Sequence, residues 1–252
     1  MFSNAQDFSG TAHYQSVSNV TTTIATADAS AEEQAALNAM IRKSMQKEYR
    51  LDFNKTESMF AEIPKLDAPD SGKSIEVLGL GSDAAGGLYK DISGQRMLES
   101  RDGFGKLFLV DDALEKFDWV PEDETRQVGD YLCHKATATT TKKQMQNILT
   151  DKGEIAQGEV MVTTTITAWY TTQIPVSQGP ARYWGLPGLI LEVNDGMLTF
   201  ICSSIELRPD GGVQIKKPKK GKKVDRITFN EIYQQKVREF EERMIDQRKK
   251  SE

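Results

Sequence analysis

Residues 168–193 read AWYTTQIPVSQGPARYWGLPGLILEV, and no other stretch of the chain combines aromatics, prolines and glycines so densely with a following apolar run. Just upstream, Val160, Val162, Ile166 and Ala168 alternate with threonines, the period of two expected of a half-buried strand. Pro175 has no N–H for a ladder, so regular pairing ends there. Gly179-Pro180 marks a turn. In Trp184-Gly185-Leu186-Pro187-Gly188 the proline fixes φ, and Pro187-Gly188 suits the two central positions of a type II turn. Leu189-Ile190-Leu191-Glu192-Val193 then reads as a strand buried on at least one face, Asn194-Asp195-Gly196 as a hairpin signal, and 197–207 as the return strand. The stretch is therefore expected to be a sharp corner that swings one sheet edge into the next.

Moving outward, strands are predicted at 88–91, 95–100, 106–111, 117–120, 124–128 and 131–140, separated by turn signals at Gly94, Asp102-Gly103 and Gly129-Asp130. Successive strands without helical spacers argue an antiparallel sheet. Residues 142–158 read as a polar protruding loop, and 64–87, rich in proline, glycine and aspartate, as a mobile loop. A first strand is predicted over 8–23, and 49–53 pairs with 58–63 about Asn54-Lys55-Thr56. Between them, 30–49 reads as a helix, with Ser30 and Glu33 in capping-box spacing and Leu37, Met40, Ile41 and Met45 on one face. That methionine stripe is read as core packing rather than as a binding surface.

At the other end, Pro209-Asp210-Gly211-Gly212 breaks the sheet, and Lys216, Lys217, Lys219, Lys220, Lys222 and Lys223 follow. A last helix is predicted from 229 to about 249, with Thr228 and Glu231 as a capping box and Ile227 stapled to Ile232. Its stripe of Phe229, Ile232, Tyr233, Val237, Phe240 and Met244 must bury against the protein's own body or a partner. The expected fold is α+β: a large, curved, mainly antiparallel, half-barrel-like sheet with one helix after the first strand and a C-terminal amphipathic helix. The expected organisation is a signal remnant at 1–7, a single sheet domain at 8–208, a lysine-rich linker at 209–225 and the helix at 226–252.

GLPGLILE (185–192), preceded by WYTTQIP (169–175) and SQGP (177–180), resembles the signature of the GLPGLI family. The resemblance extends upstream to VGDYLCHKATA (128–138) and downstream to the lysine-rich tail, and so spans most of 8–250. It departs at Trp184, where a small residue or glycine is expected. The resemblance implies an exported, periplasmic or outer-membrane-associated protein of the cell envelope of Bacteroidota-type bacteria, in a family of largely unknown function. On that reading MFSNAQ is the tail of a secretory signal. In an oxidising compartment Cys133 and Cys202 could pair and close a long loop; alternatively both are small buried apolar side chains.

The 252 residues carry a net charge of −5 and a mean hydropathy of −0.51, which does not favour nucleic-acid binding. No run approaches the ~20 apolar residues of a transmembrane segment. Of the two histidines, His134 neighbours Cys133, but adjacent strand residues point to opposite faces, so a Cys133/His134/His13 metal site is not expected. Residues 185–188 offer no nucleophile, no G-x-S-x-G elbow exists, and Gly79-Leu80-Gly81 lacks the Lys-Ser/Thr of a phosphate loop. Asp111-Asp112 and Glu122-Asp123-Glu124 read as solvated turns. No catalytic residue, metal or cofactor is therefore expected. The lysine run is either a solvated linker or a contact for anionic surfaces.

The candidate contact surface is Trp169, Tyr170, Pro175, Gly179, Pro180, Tyr183, Trp184, Gly185, Leu186, Pro187, Gly188 and Leu189, because tyrosine and tryptophan bury large areas yet keep a polar handle. The competing reading is that these residues simply plug a demanding corner. The functional expectation is a non-catalytic envelope protein that binds an outer-membrane or other envelope protein. Alternatively it takes a lipid or apolar ligand in a cavity lined by Ile166, Leu189, Leu191, Met197 and Ile201. A hydrolase of envelope polymers, with a polar cleft and convergent titratable groups, and a structural subunit docking through its C-terminal helix are the alternatives.

Overall fold

The computed structural model describes residues 8–18, 30, 32–33, 35, 46–64, 87–149, 155–208 and 212–251. Its strands are β1 (Gly10–Ser18), β2 (Glu48–Phe53), β3 (Glu57–Glu62), β4 (Leu88–Asp91), β5 (Arg96–Gly103), β6 (Lys106–Ala113), β7 (Val120–Val128), β8 (Tyr131–Leu149), β9 (Ile155–Thr171), β10 (Leu189–Asn194), β11 (Leu198–Leu207) and β12 (Lys222–Val224). Among the described residues one helical element, α1 (Arg226–Ser251), follows them. The strands form a twelve-stranded open mixed sheet in the order β12-β6-β5-β4-β3-β2-β1-β11-β10-β9-β8-β7. Mixing comes from β12, which runs parallel to β6.

This corrects the expected α+β class with its helix after the first strand. That helix is not among the described elements, and Glu48 and Tyr49, assigned to its last turn, begin β2 instead. Ser30 and Glu33 do make the reciprocal bonds of a capping box, the Ser30 N–H donating to the Glu33 carboxylate and the Glu33 N–H to Ser30 Oγ, but 36–45 lie outside the described residues, as do 19–29 and 65–86, the bulk of the predicted loop.

Contacts divide the chain into two units, the first comprising Met1–Tyr14, Lys47–Glu115 and Ser203–Glu252 and the second Gln15–Gln46 and Lys116–Cys202. In the first unit β2 to β6 form a meander of antiparallel neighbours. Alternation puts Tyr49, Leu51, Phe53, Phe60, Leu88 and Val110 into its core, with Tyr49 stacked on Phe60 at 4.8 Å. Tyr89, Leu98 and Leu109, on the other face, form a second apolar cluster with Met59 and Ile215.

The N-cap of α1 is Asp225, not Thr228: its Oδ1 accepts the Thr228 N–H at 2.7 Å, holding the Asp225 carboxyl below its usual range. Ile227, the predicted staple, is 73% exposed. The first turns of the apolar stripe bury against the protein's own sheet. Phe229 meets Phe108 edge-on at 5.4 Å, with Val110, Val224, Ile232 and Tyr233 around them. Arg226 reaches the buried Glu99 at 2.7 Å.

In the second unit β8 and β9 pair continuously from His134↔Tyr170 to Leu149↔Ile155. Residues 142–158, expected as a loop, are therefore mostly strand. Polarity suggested solvent, but a ribbon needs only β-compatible side chains, and Thr137, Thr139, Thr140 and Thr141 sit directly opposite Thr167, Thr165, Thr164 and Thr163. The two strands predicted at 117–120 and 124–128 are corrected to the single β7, whose register against β8 shifts between Pro121 and Thr125, next to a residue that cannot donate to the ladder.

Candidate functional site

The corner predicted at 168–193 joins β9 to its antiparallel neighbour β10. Its irregular residues are held by their own backbone. The Ile174 carbonyl accepts from Val176 N (2.8 Å) and Leu189 N (3.0 Å), Gln178 O accepts from Ile190 N (3.0 Å), and Ser177 O accepts from Gly185 N (3.2 Å). Between these ties Ile174, Val176, Tyr183, Leu186 and Leu189 turn inward and are buried. Each buried side chain of this size contributes roughly 1.5–3 kcal/mol by leaving water. The Tyr183 hydroxyl donates to Asp195 at 2.7 Å, and burial pushes its pKa up.

The glycines play roles other than the type II turn expected of Pro187-Gly188. Gly188 is not in the left-handed region. A Cβ on it would instead overlap the Thr171 carbonyl and the Thr172 nitrogen, so only glycine lets the two backbones approach. Gly185 is the left-handed residue, with φ 98°, and the Trp119 ring lies against it.

The twelve predicted contact residues therefore separate. Tyr170, Gly179, Pro180, Tyr183, Leu186, Gly188 and Leu189 are buried. Pro175, Gly185 and Pro187 are exposed, and Trp169 and Trp184 are half-buried. The Trp184 carbonyl accepts the Trp119 indole N–H at 2.8 Å, and Phe117 lies 5.4 Å from Trp119 and 5.5 Å from Tyr183. A rim of Phe117, Trp119, Trp184, Gly185 and Pro187 thus sits over the inward-turned half of the motif. Phe117 and Trp119 were missed because residues 117–120 were assigned to a strand. The pairing of two aromatics just ahead of Pro121 was the available signal.

Trp169 belongs to a different cluster. The Arg126 guanidinium lies 4.1 Å over its ring and pairs with Glu192, and Lys135 joins Glu122 (2.9 Å) and Glu124 (2.8 Å). Cys133 and Cys202 are not joined by a disulfide, so of the two readings the bridged one is not formed. β10 and β9 lie between β11 and β8, so Cys202 and Cys133 are about three strand spacings apart, roughly 14 Å, far beyond the reach of a bridge. Burial raises the Cys133 thiol to about 11, the state of an inert core residue. Of the five residues expected to line one cavity, Ile166, Leu189 and Leu191 are packed in the core while Met197 (51%) and Ile201 (38%) are exposed.

Among the described residues no group of three or more His, Cys, Asp or Glu is arranged to hold a metal ion. The most perturbed amine lies in the first unit, at a residue that no motif marks. Lys90 on β4 stands directly opposite Ser58 on β3, and both are at 0% exposure. Desolvation lowers the Lys90 amine to about 7. Glu99, equally buried on β5, is held by Arg101 and Arg226, each at 2.7 Å. A serine and a depressed lysine are the parts of a nucleophile and its base, but at zero exposure neither meets a substrate in this structure.

Residues 119–192, which contain the GLPGLI core, match the model of a Bacteroidota-associated family described as "Protein of unknown function (Porph_ging)". No curated protein matches the chain. Two solved structures of PNGF-II, in space groups C2 and P21, are similar at 13% and 12% identity, with TM-scores of 0.48 and 0.49. Each match covers 90% of this chain and 32% or 33% of the other, so the chain spans about a third of their length.

Proposed function

We propose that this is a non-catalytic cell-envelope protein of the GLPGLI family that recognises a protein partner through the aromatic rim of its corner. The observation that carries the reading is the division of the motif: one half is used up in building the corner, and the other leaves Trp184 and Pro187 at the surface, where Trp119 and Phe117 from ahead of β7 join them. Half-buried tryptophans held by packing bind with little entropy to lose, the property of interface hot spots. The family match over 119–192 is consistent with this assignment, since it spans the whole corner and begins at the rim residue Trp119. The apolar-ligand version is weaker, because the residues proposed to line one cavity are divided between core and surface.

The export reading rests on the resemblance and is tested by fractionating the native cells. The contact reading is tested in the same cells with a photo-crosslinking residue in place of Pro187. One discrete protein adduct is expected there, lost when Trp184→Ala is added, with none from the same crosslinker placed at Lys55. No adduct at position 187, or one indifferent to Trp184→Ala, overturns the reading.

A further inference from the structure

Residues 212–223 read GVQIKKPKKGKK, six lysines and no acid, in a chain whose net charge is −5. The segment is fastened to the first unit at four points. Ile215 packs into the Tyr89–Leu98–Leu109 cluster, and the Lys217 ammonium lies 5.0 Å over the Tyr89 ring. Gly221, at φ 114°, passes so close to β6 that a Cβ there would meet the Phe108 and Leu109 backbone at 2.7–2.9 Å. Lys222–Val224 then pairs as β12 with Phe108–Val110 of β6, where Lys223 bridges to Asp111 at 2.6 Å.

Two of the six lysines are thus spent on attachment. The other four, Lys216, Lys219, Lys220 and Lys222, are exposed and carry no ion pair among the described residues. They lie along a strap at most ~20 Å long. Spread over residues 216–222 with no acidic residue among them, these exposed lysines suit several anions distributed over a surface better than one small anion in a pocket. No aromatic residue is interleaved to stack bases, so nothing favours a single-stranded nucleic acid.

We infer that the lysine strap 212–223 is a docking site for a membrane surface bearing anionic, phosphate-containing lipid headgroups. Pre-ordering raises its affinity over that of a free lysine tail, because the chain has already been fixed. Juxtaposed lysines each strengthen attachment to such a surface by a factor of about five, and the effect fades as salt shortens the range of the charges. This site is independent of the aromatic rim, so either can fail without the other.

The test is co-sedimentation of the full chain with vesicles. The protein is expected to bind phosphatidylglycerol-rich vesicles, to ignore phosphatidylcholine vesicles, and to be released by high salt. The combined substitution Lys216→Gln, Lys219→Gln, Lys220→Gln and Lys222→Gln should cut the partition by more than a hundredfold, with the thermal midpoint unchanged. Substituting Lys55, Lys116, Lys142 and Lys143 by glutamine removes the same charge elsewhere and should leave binding within a few fold. Inorganic phosphate should compete only through its ionic strength. Equal losses in the two variants, retained binding without the strap lysines, or displacement by phosphate beyond the effect of matched chloride would each overturn the inference.

Discussion

The corner at 172–188 and the strap at 212–224 are made from the same punctuation, proline and glycine in an irregular run, and they end in opposite states. The corner turns Ile174, Val176, Tyr183 and Leu186 inward and keeps only a rim at the surface. The strap touches the protein at a few points and directs its lysines outward. Glycine serves both by letting backbones meet, Gly188 against Thr171 in one and Gly221 against β6 in the other. What decides the outcome is the company the breakers keep. Apolar side chains between them gain by leaving water, whereas ammonium groups lose hydration and stay out.

The largest effect should come from closing the gap at Gly188. Gly188→Ala places a methyl group where the Thr171 and Thr172 backbone already is, and backbone cannot swing aside. Urea unfolding should show a loss of about 3 kcal/mol, the upper range for overpacking. An unchanged midpoint would mean that the corner is loose and resembles the strap after all.

Lys90 sharpens the contrast from the other side, since it is a lysine that did go in. Its folded pKa of about 7 lies below the 10.5 of an open chain. Between these values the unfolded chain binds a proton that the folded protein does not, so stability should rise as pH rises from about 7 towards 10. Lys90→Met should stabilise the protein at pH 7 by roughly a few kcal/mol and flatten that slope. A slope that survives the substitution would assign it to other groups.

Gly221→Ala should cost less than Gly188→Ala, about 1–2 kcal/mol, because a surface strap can lift away from β6 while a corner between paired strands cannot. Limited proteolysis within 212–221 should accelerate in that variant. Equal costs for the two glycines would erase the distinction between corner and strap. Tyr183→Phe should be the mildest, about 1 kcal/mol, since Asp195 keeps the Leu198 N–H at 2.8 Å after losing the phenol.

Much of the sheet was legible where turn chemistry brackets a short alternating run. Leu88–Asp91 emerged at its predicted bounds, and Asn194-Asp195-Gly196 turns because the Asn194 carboxamide oxygen accepts the Gly196 N–H and the Asp195 carboxylate the Met197 N–H, each two residues on. The β8–β9 ribbon was not legible beyond 141, because polar residues in a long two-stranded extension lack the apolar alternation that marks a half-buried strand. The cap of α1 was misplaced by three residues: Asp225 and Thr228 both suit an N-cap, and only the fold chooses. In the corner, the sequence marked the right residues but not their directions. Type II geometry at Gly188 was a local guess, and the close approach of Thr171 that requires the glycine belongs to a strand pairing. Phe117 and Trp119 were hidden for the same reason, since they reach the rim through contacts made across 65 residues of chain.

The most direct test is hydroxyl-radical footprinting of the folded protein, read residue by residue by mass spectrometry across 168–193. The neighbours Tyr183 and Trp184 should differ sharply, with Tyr183 and Leu186 protected until the protein unfolds and Trp184 and Pro187 oxidised in the native state. Similar oxidation of Tyr183 and Trp184 would contradict a corner with one half turned inward and the other left at the surface.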